Sequence, residues 1–493
     1  MRGGWAAVWD GAGASPRHRV VERGEVVLQG DRIQYAGPHY EGPVDRTIDR
    51  PEWFICPGFI NLHGHVGLEA MSSLIDLPPG RGVGPSEAFV KDSPVFMPPT
   101  LSLEEQRLSA EFSLVQMLRT GTTTIVDAHG YGPVWWLGNP PTDEELLAET
   151  VGRIGCRAYL ALGFRSARSF ARADGSRDYH WDEGLGRAGL EEGLRFALSH
   201  DGTHGGRVRG LLTPHHAFIC SPELLQETLA AARRHGLWIQ VHVAEWVPEV
   251  EMIRDRYGDT PVGFLHRIGF LGPDIILGHC VYTSGHPDVG GDPGQDLSFI
   301  AEAGSSVAHS PRLFFASGRA LNSLPRYLDH GVNVGIGCDT WPSDIIEEMR
   351  LAWFMGKQTA SSAARPTCHE VFSAATVGSA DALGRQDLGR LVAGAQADLV
   401  CIDLSRYHYG PVLDPVRSLV LFGRGQDVDS VFVAGQQVVE DGRVLNADED
   451  ALQAAVPGIH RSLSKAVAQR DPLGRTPEDL IGMEYPTGGM GDV

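Results

Sequence analysis

Two histidines one residue apart, His63 and His65, close a short apolar run in the segment CPGFINLHGH. Residues i and i+2 of an extended strand point to the same side, so both imidazoles face one space and the small Gly64 leaves room between them. Two imidazoles placed in this way can bind the same divalent cation. A single pair is weak evidence in a chain with 20 histidines, so its surroundings have to support it.

Polar residues also recur where other apolar segments of the central chain end. They are Asp127, His129, His215, His216, His242, Glu245, His279, His309 and Asp339. Histidines scattered over a surface would not fall at the ends of successive strands. We predict one metal site with the ligands His63, His65, His242 and Asp339. Three imidazoles and one carboxylate suit Zn²⁺, or alternatively Fe²⁺ or Mn²⁺, and leave a position open for water.

The segments that carry these residues have the pattern of repeated strand and helix units. Short apolar or β-branched strands alternate with helical stretches such as SPELLQETLAAARRHG, which ends in a glycine as helices commonly do. The predicted strands are 59–65, 122–129, 157–164, 208–215, 237–245, 274–280, 305–311 and 333–340. Eight such units predict an α/β fold, the TIM (β/α)8 barrel, whose chemistry lies at the C-terminal ends of the strands.

Both ends of the chain have a different pattern, that of short strands and hairpins. EVVLQGDRIQYAGP near the start and SVFVAGQQVVEDGRVL near the end are examples. We expect the two ends to build one small composite β-sandwich. The predicted parts are 1–57 for the first part of the sandwich, 58–387 for the barrel, 388–450 for the second part of the sandwich, and 451–493 for a C-terminal helix and a loose tail.

Composition excludes several classes of partner. The net charge is -20, with 62 acidic against 42 basic residues, so nucleic acid and anionic membranes are disfavoured. No apolar run has the length of a membrane span, and the first residues lack the apolar core of a signal peptide, so we predict a cytoplasmic protein. The 7 cysteines form no CxxC pair, which favours reduced thiols.

Six motifs together resemble the amidohydrolase superfamily. They are PGFINLHGH, TPHHAFICSPELL, VHVAE, LGHC, VAHSP and GIGCDT, in this order. The resemblance runs from about Gly30 to Leu445. It is greatest to the branch that contains cytosine and guanine deaminases, adenosine-type deaminases, and triazine chlorohydrolases and aminohydrolases. The resemblance implies the barrel with a two-part β-sandwich and a homo-oligomer.

The resemblance also implies roles for the residues at the strand ends. It assigns His63, His65, His242 and Asp339 to one metal. Glu245 becomes the proton shuttle, and His279 polarises the bound water or the substrate. Two-metal members of the superfamily carry a carbamylated lysine at the end of the fourth strand, where this chain has His215-His216, so a mononuclear site is implied.

We predict a metal-dependent hydrolase of C–N bonds other than peptide bonds, an aminohydrolase that deaminates an amino-substituted nitrogen heterocycle. Metal-bound hydroxide attacks the substrate, Asp339 accepts the proton of the attacking water, and Glu245 carries a proton to the ring or the leaving group. We expect the apolar surroundings near Trp246 to raise the pKa of Glu245. The alternatives are hydrolysis of a urea, carbamate or amide, chloride displacement from a triazine, or an inactive binding protein on the same barrel.

Aromatic residues and histidines after the strands are candidate contacts for a small, flat substrate. The candidates are His215, Trp135, Trp246, His309 and Trp341. Strand alternation lets only one of His215 and His216 face the pocket, and we favour His215. Pocket shape selects the substrate and the leaving group, and the sequence does not give it.

Overall fold

The computed structural model describes residues 1–11, 17–67, 101–128, 143–171, 177–340 and 342–470. The strands, in chain order, are β1 (Arg2–Asp10), β2 (Arg17–Glu22), β3 (Glu25–Gln29), β4 (Arg32–Gly37), β5 (Asp49–Pro57), β6 (Phe59–Gly64), β7 (Thr122–Asp127), β8 (Arg157–Leu160), β9 (Gly163–Phe164), β10 (Ala167–Ala171), β11 (Arg177–Trp181), β12 (Val208–Pro214), β13 (Trp238–Val243), β14 (Ile275–His279), β15 (Ser306–His309), β16 (Asn333–Ile336), β17 (Leu399–Asp403), β18 (Val428–Val433), β19 (Gln436–Glu440) and β20 (Arg443–Val444).

The α-helices alternate with the central strands. They are α1 (Leu103–Arg119), α2 (Asp143–Ile154), α3 (Glu183–His200), α4 (Thr203–Gly206), α5 (Pro222–His235), α6 (Val247–Tyr257), α7 (Pro261–Arg267), α8 (Gln295–Ala303), α9 (Pro311–Ala316), α10 (Leu324–Asp329), α11 (Ile345–Thr359), α12 (Cys368–Ser373), α13 (Ser379–Ala382), α14 (Pro415–Phe422) and α15 (Glu449–Arg470). The 3₁₀ turns are Ala217–Ile219, Tyr407–Tyr409 and Gly425–Asp427, and Ala374–Gly378 is π-helical.

Eight parallel strands form the barrel, in the order β6, β7, β8, β12, β13, β14, β15 and β16. The first and last of them are joined just beyond their carboxyl ends. There the Asp339 backbone N–H donates to the His63 carbonyl at 2.8 Å, and the His65 N–H donates to the Asp339 carbonyl at 2.9 Å. The predicted (β/α)8 barrel is confirmed.

Most of the predicted barrel strands continue past the observed strand ends, and at three of them backbone geometry explains why. Ala244 (φ 52°), Cys280 (φ 49°) and Asp339 (φ 63°) adopt left-handed conformations, which an extended strand cannot continue through. Strand β13 stops before Ala244, β14 stops before Cys280, and β16 stops before Asp339. The left-handed residues change the direction of the chain where the candidate site begins.

Neighbouring residues of the barrel strands pack on opposite faces. Ile125 belongs to the large apolar cluster that includes Leu118 of α1, whereas Val126 packs with Leu62 and Leu211 of other barrel strands. Parallel strands in a barrel are buried on both faces. The strand sequences are therefore continuous apolar runs, and polar residues stand out at their ends.

The two ends of the chain form one nine-stranded sheet, as the sequence predicts. Its order is β4, β3, β1, β5, β17, β18, β19 and β20, with β2 on β1. The central pairing joins β5 to β17 in antiparallel register, with Cys56 opposite Val400. This sheet provides the composite β unit beside the barrel.

The C-terminal helix α15 packs against α1 near the start of the barrel. Ile459 and Leu463 bury their side chains there with Leu108, and the Ser462 hydroxyl donates to Glu105 Oε1 at 2.6 Å. The segment predicted as a loose tail lies outside the described residues. The domain boundaries after residues 57, 387 and 450 stay predictions.

The cysteines are free thiols, in agreement with the prediction of a chain without disulfides. All but Cys368 are buried. In the part of the chain that the structure describes, no helix is long and apolar enough to cross a membrane.

A buried ion pair joins the barrel to the composite sheet. Arg157, the first residue of β8, donates from Nε to Asp398 Oδ2 at 2.9 Å and from Nη2 to Asp398 Oδ1 at 3.1 Å. The same Nη2 donates to Gln396 Oε1 at 3.1 Å, and the Ala434 N–H donates to Asp398 Oδ1 at 2.7 Å. The side chains of Arg157 and Asp398 are only 2% and 3% exposed, so neither charge has water as an alternative partner.

We expect Arg157→Met to lower the free energy of unfolding by about 3 kcal/mol, because it leaves the Asp398 carboxylate buried without its counter-charge. Urea denaturation followed by tryptophan fluorescence measures this change. Arg195→Met is the matched control, since the Arg195 side chain is 49% exposed and pairs with Glu192 at the surface. The control is expected to change stability by less than about 1 kcal/mol. Equal losses in the two variants would contradict the prediction.

A second prediction concerns His18, which is buried between the rings of Trp9 and Phe372. Its Nε2 hydrogen-bonds the Thr376 hydroxyl at 3.1 Å, and burial lowers its pKa to about 3. Below pH 6.5 the unfolded chain binds a proton that the folded protein excludes, so stability falls as the pH falls toward 3. Between pH 7 and 5 this loss is about 2 kcal/mol. His18→Gln should remove it, and parallel stability curves for both proteins would contradict the assignment.

Candidate metal centre and active site

His63 lies at the end of β6 with one imidazole nitrogen bonded and the other unpartnered. Its Nδ1 is 3.0 Å from Gln240 Oε1, and Gln240 Nε2 donates to the Leu62 carbonyl at 2.7 Å. The amide of Gln240 is thereby oriented, so His63 Nδ1 donates and Nε2 keeps its lone pair. Nε2 is buried without a hydrogen-bond partner. A buried acceptor of this kind is explained by a metal ion.

Asp339 brings three imidazoles to one carboxylate. Its Oδ2 lies 3.2 Å from His279 Nε2 and 3.8 Å from His63 Nε2, and its Oδ1 lies 3.5 Å from His65 Nε2. Burial raises the pKa of Asp339 well above its usual range. An ionised carboxylate at this depth needs a positive charge nearby, and a divalent cation provides it.

His242, on β13, completes the group of imidazoles. Its Nδ1 donates to the His215 carbonyl at 2.6 Å, which leaves Nε2 available for a metal. The rings of His242 and His63 are 4.7 Å apart, and those of His242 and His65 are 5.5 Å apart. Burial lowers the pKa of His63 to about 4 and that of His242 well below its usual value. Both are therefore neutral at pH 7, the form that binds metals.

The side chains predicted as ligands fit one divalent ion. The donor atoms of His63, His65 and Asp339 lie within 4.8 Å of one another, and so do those of His63, His242 and His279. A third group, His215, His216 and His242, also meets this distance. Imidazole nitrogens and a carboxylate oxygen are the donor set typical of catalytic zinc. His63 belongs to the first two groups and His242 to the last two, so the three groups adjoin one another in one cluster.

Glu245 lies beside this centre, immediately after the left-handed Ala244. Its Oε2 is 2.8 Å from His216 Nε2. The carboxylate of Glu249 accepts the N–H groups of Ala244 and Glu245, each at 2.9 Å, and so fixes the backbone of this turn. The side chain projects from a rigid strand end toward the histidine cluster.

The expectation that the pKa of Glu245 is raised is wrong. Burial does raise it, but the hydrogen bond from His216 and the electrostatic influence of His279, His216 and Arg319 outweigh burial and lower the pKa to about 2. The carboxylate is therefore ionised before any reaction begins. Trp246 contributes apolar surface, with its ring centroid 6.3 Å from that of His216, but it does not decide the protonation state.

Both histidines after β12 approach the site, contrary to the expectation from strand alternation. The strand ends at Pro214, so alternation does not extend to His215 and His216. The His215 ring lies 5.1 Å from that of His242, and the His216 ring lies 4.4 Å from it. Arg165 Nη1 is 3.3 Å from His215 Nδ1, which places a guanidinium at the rim of the site.

The other residues predicted to contact the substrate are His309, Trp135 and Trp341. His309 is buried at the end of β15, where burial lowers its pKa to about 3. In the part of the chain that the structure describes, no hydrogen bond joins it to the cluster. Trp135 and Trp341, together with His129, lie outside the described residues.

Sequence reasoning missed Gln240 and Glu249, which hold the site in place. Gln240 lies two residues before His242 on the same strand face, and Glu249 lies four residues after Glu245 at the start of α6. These spacings are signals that could have been used.

A model of the amidohydrolase family matches residues 54–438, which include the barrel and all three groups of donor atoms. The chain belongs to the amidohydrolase family. The family predicted from the sequence motifs is therefore confirmed.

Curated relatives of this amidohydrolase match over nearly their whole length. A 5-methylthioadenosine/S-adenosylhomocysteine deaminase of Natronomonas pharaonis is 31% identical over 441 residues, 88% of this chain and 90% of that protein. A 5'-deoxyadenosine deaminase of Methanosarcina mazei is 29% identical over 460 residues, 91% of this chain and 95% of that protein.

Solved structures show the same fold at low sequence identity. An adenosine deaminase of Xanthomonas campestris with bound zinc has a TM-score of 0.77 at 22% identity, and covers 94% of this amidohydrolase and 98% of that chain. An atrazine chlorohydrolase of Arthrobacter aurescens TC1 complexed with zinc has a TM-score of 0.73 at 22% identity, and covers 93% and 98%. Proteins with different leaving groups share this architecture, so the fold does not select the substrate.

Proposed function

We propose that this amidohydrolase is a metal-dependent deaminase of an amino-substituted nitrogen heterocycle, and that the heterocycle is the adenine ring of a nucleoside modified at its 5' position. The observation that carries the proposal is the position of the ionised Glu245 carboxylate beside the buried cluster of His63, His65, His242 and Asp339. The named relatives, which are deaminases of such adenosine derivatives, support this choice.

The reaction replaces the exocyclic amino group with oxygen. Water adds to the ring carbon that bears the amine, the C–N bond breaks, and ammonia leaves. A divalent ion, by default Zn²⁺, would be held by His63, His65, His242 and Asp339 and would supply Lewis-acid activation of the water. Fe²⁺ and Mn²⁺ fit the same donors.

The protein residues move the protons of this reaction. The Asp339 carboxylate accepts a proton from the attacking water. Glu245, which is ionised at the start, takes up the other proton of the attacking water and gives it to a ring nitrogen. The proton held by Asp339 then passes to the departing amine, so that the product is ammonia rather than an amide ion. His279, whose Nε2 is 3.2 Å from Asp339 Oδ2, polarises the attacking water or the substrate.

The test is ammonia release by zinc-loaded protein. The panel contains 5'-methylthioadenosine, S-adenosylhomocysteine, 5'-deoxyadenosine and adenosine, with guanine, cytosine, a pterin and an aminotriazine as other ring systems. We expect the adenosine derivatives to be deaminated fastest. Ammonia from another ring system only would remove adenine from the proposal. Chloride from a chlorotriazine, or amine from a urea or carbamate, in the absence of ammonia would overturn the deaminase assignment.

We propose a homo-oligomer in the cytoplasm that acts on a small molecule. The net charge of -20 disfavours nucleic acid as an alternative partner. The oligomer rests on the resemblance of the sequence to the superfamily. Light scattering coupled to size-exclusion chromatography tests it, and a mass of 53.3 kDa would show a monomer.

A further inference from the structure

The Glu245 carboxylate has one oxygen engaged and one oxygen open. Oε2 is 2.8 Å from His216 Nε2, and the two side chains are 18% and 13% exposed. Among the described residues, Oε1 makes no hydrogen bond. A carboxylate held by one oxygen can present the other to a substrate without searching several rotamers.

His216 is itself held firmly by the barrel. Its backbone bridges to His242, and the His242 N–H donates to the His215 carbonyl at 3.0 Å. The His216 ring stacks on that of His242 with an interplanar angle of 22°, and its Nδ1 lies 2.7 Å from His215 Nδ1. Phe218 covers another side, with ring centroids 5.5 Å apart. An imidazole bonded at both nitrogens and stacked on a neighbour keeps a single orientation.

We propose that His216 is the positioning residue for Glu245, fixing Oε2 so that Oε1 points at the substrate. This role rests on the proposed function of Glu245 as the proton carrier. Glu249 fixes the main chain of Glu245, as its Oε2 accepts the Glu245 N–H at 2.9 Å. His216 fixes the other end of the same residue. The direction of proton delivery is therefore set by two residues that act through Glu245.

The experiment compares two substitutions at position 216 in the zinc-loaded, full-length protein with 5'-methylthioadenosine as the substrate. His216→Phe keeps the stacking surface and removes the bond to Glu245, and we expect kcat to fall about 10- to 100-fold with KM within about twofold. His216→Gln offers an amide N–H in its place and should restore most of the loss. His235→Phe, at an exposed histidine that ends α5, is the matched control and should behave as wild type.

A double-mutant cycle separates positioning from general damage. In a Glu245→Gln background, His216→Phe should cause little further loss, because the group that it positions is already absent. Independent, multiplicative losses would overturn the proposal. An unchanged kcat in His216→Phe would do the same, and loss of zinc from this variant would make His216 a metal ligand instead.

Failure of the proposed function gives a different result. If wild-type protein releases chloride or an amine instead of ammonia, the double-mutant cycle is run on that reaction. Coupling between positions 216 and 245 would then support the positioning role of His216 although the deaminase proposal has failed. A crystal structure of zinc-loaded His216→Phe needs no activity. We expect the Glu245 carboxylate to leave its wild-type position, and a carboxylate that stays in place would overturn the proposal.

Discussion

Glu245→Gln is expected to lower kcat about 10³-fold while bound zinc stays at the wild-type level, since general acid–base groups contribute roughly 10² to 10⁴ in rate. The amide has nearly the same shape as the carboxylate but cannot carry a proton between water and leaving group. Glu245 is not one of the proposed ligands, and its Oε2 is bonded to His216 instead. Ammonia release gives kcat, and plasma mass spectrometry gives the zinc content.

The control for this variant is Glu251→Gln. Glu251 lies on α6 a short distance along the chain, and its side chain is exposed. It should retain wild-type kcat. If Glu245→Gln were as active as Glu251→Gln, Glu245 would have no part in the reaction. If zinc were lost with activity, the carboxylate would belong to the metal site.

His63→Ala is expected to remove bound metal and activity together. Loss of a residue that only supports a metal ligand weakens metal binding about 10- to 100-fold. Removal of His63, a proposed ligand that belongs to two of the groups of donor atoms, should weaken metal binding more than that. Without His63 Nε2, the Asp339 carboxylate keeps His65 and His279 but loses the neighbour 3.8 Å away. Zinc content after dialysis and kcat/KM for ammonia release are the measurements.

Two further variants guard against misfolding of His63→Ala. Asp339→Asn has almost the same volume as the wild-type residue and should also lose the metal, while circular dichroism verifies its fold. His286→Ala changes a buried histidine outside the cluster, in the loop after β14, and should retain zinc. A fully metallated, active His63→Ala would show that the metal site is elsewhere.

The barrel and its polar residues could be predicted from sequence because both depend on local patterns. Parallel strands buried on both faces are mainly apolar, so His63, His65, His242 and Asp339 were visible as polar exceptions at or near the ends of apolar runs. The order of the strands follows from the repeated units. Once the strands close into a barrel, their carboxyl ends lie on one side and these residues converge.

Contacts that depend on where a strand stops could not be predicted in this way. His216 reaches Glu245 because β12 ends at Pro214, and no sequence pattern fixes that boundary within one residue. The expected rise of the Glu245 pKa was wrong for the same reason, since this pKa depends on the His216 contact more than on Trp246. The substrate depends on pocket shape, and the predicted substrate contacts Trp135 and Trp341 lie outside the described residues.

The hydrogen bonds that join the first and last barrel strands also imply that the proposed metal centre forms late in the folding reaction. His63 comes from the first barrel strand, and Asp339 follows the last, so their pairing joins residues at opposite ends of the barrel sequence. Contacts of this kind form slowly, after the intervening segments have folded. A ribosome-bound chain that ends before residue 339 lacks the carboxylate, so tight metal capture has to await a complete barrel. Uptake of a metal at the proposed site is therefore expected to report closure of the barrel.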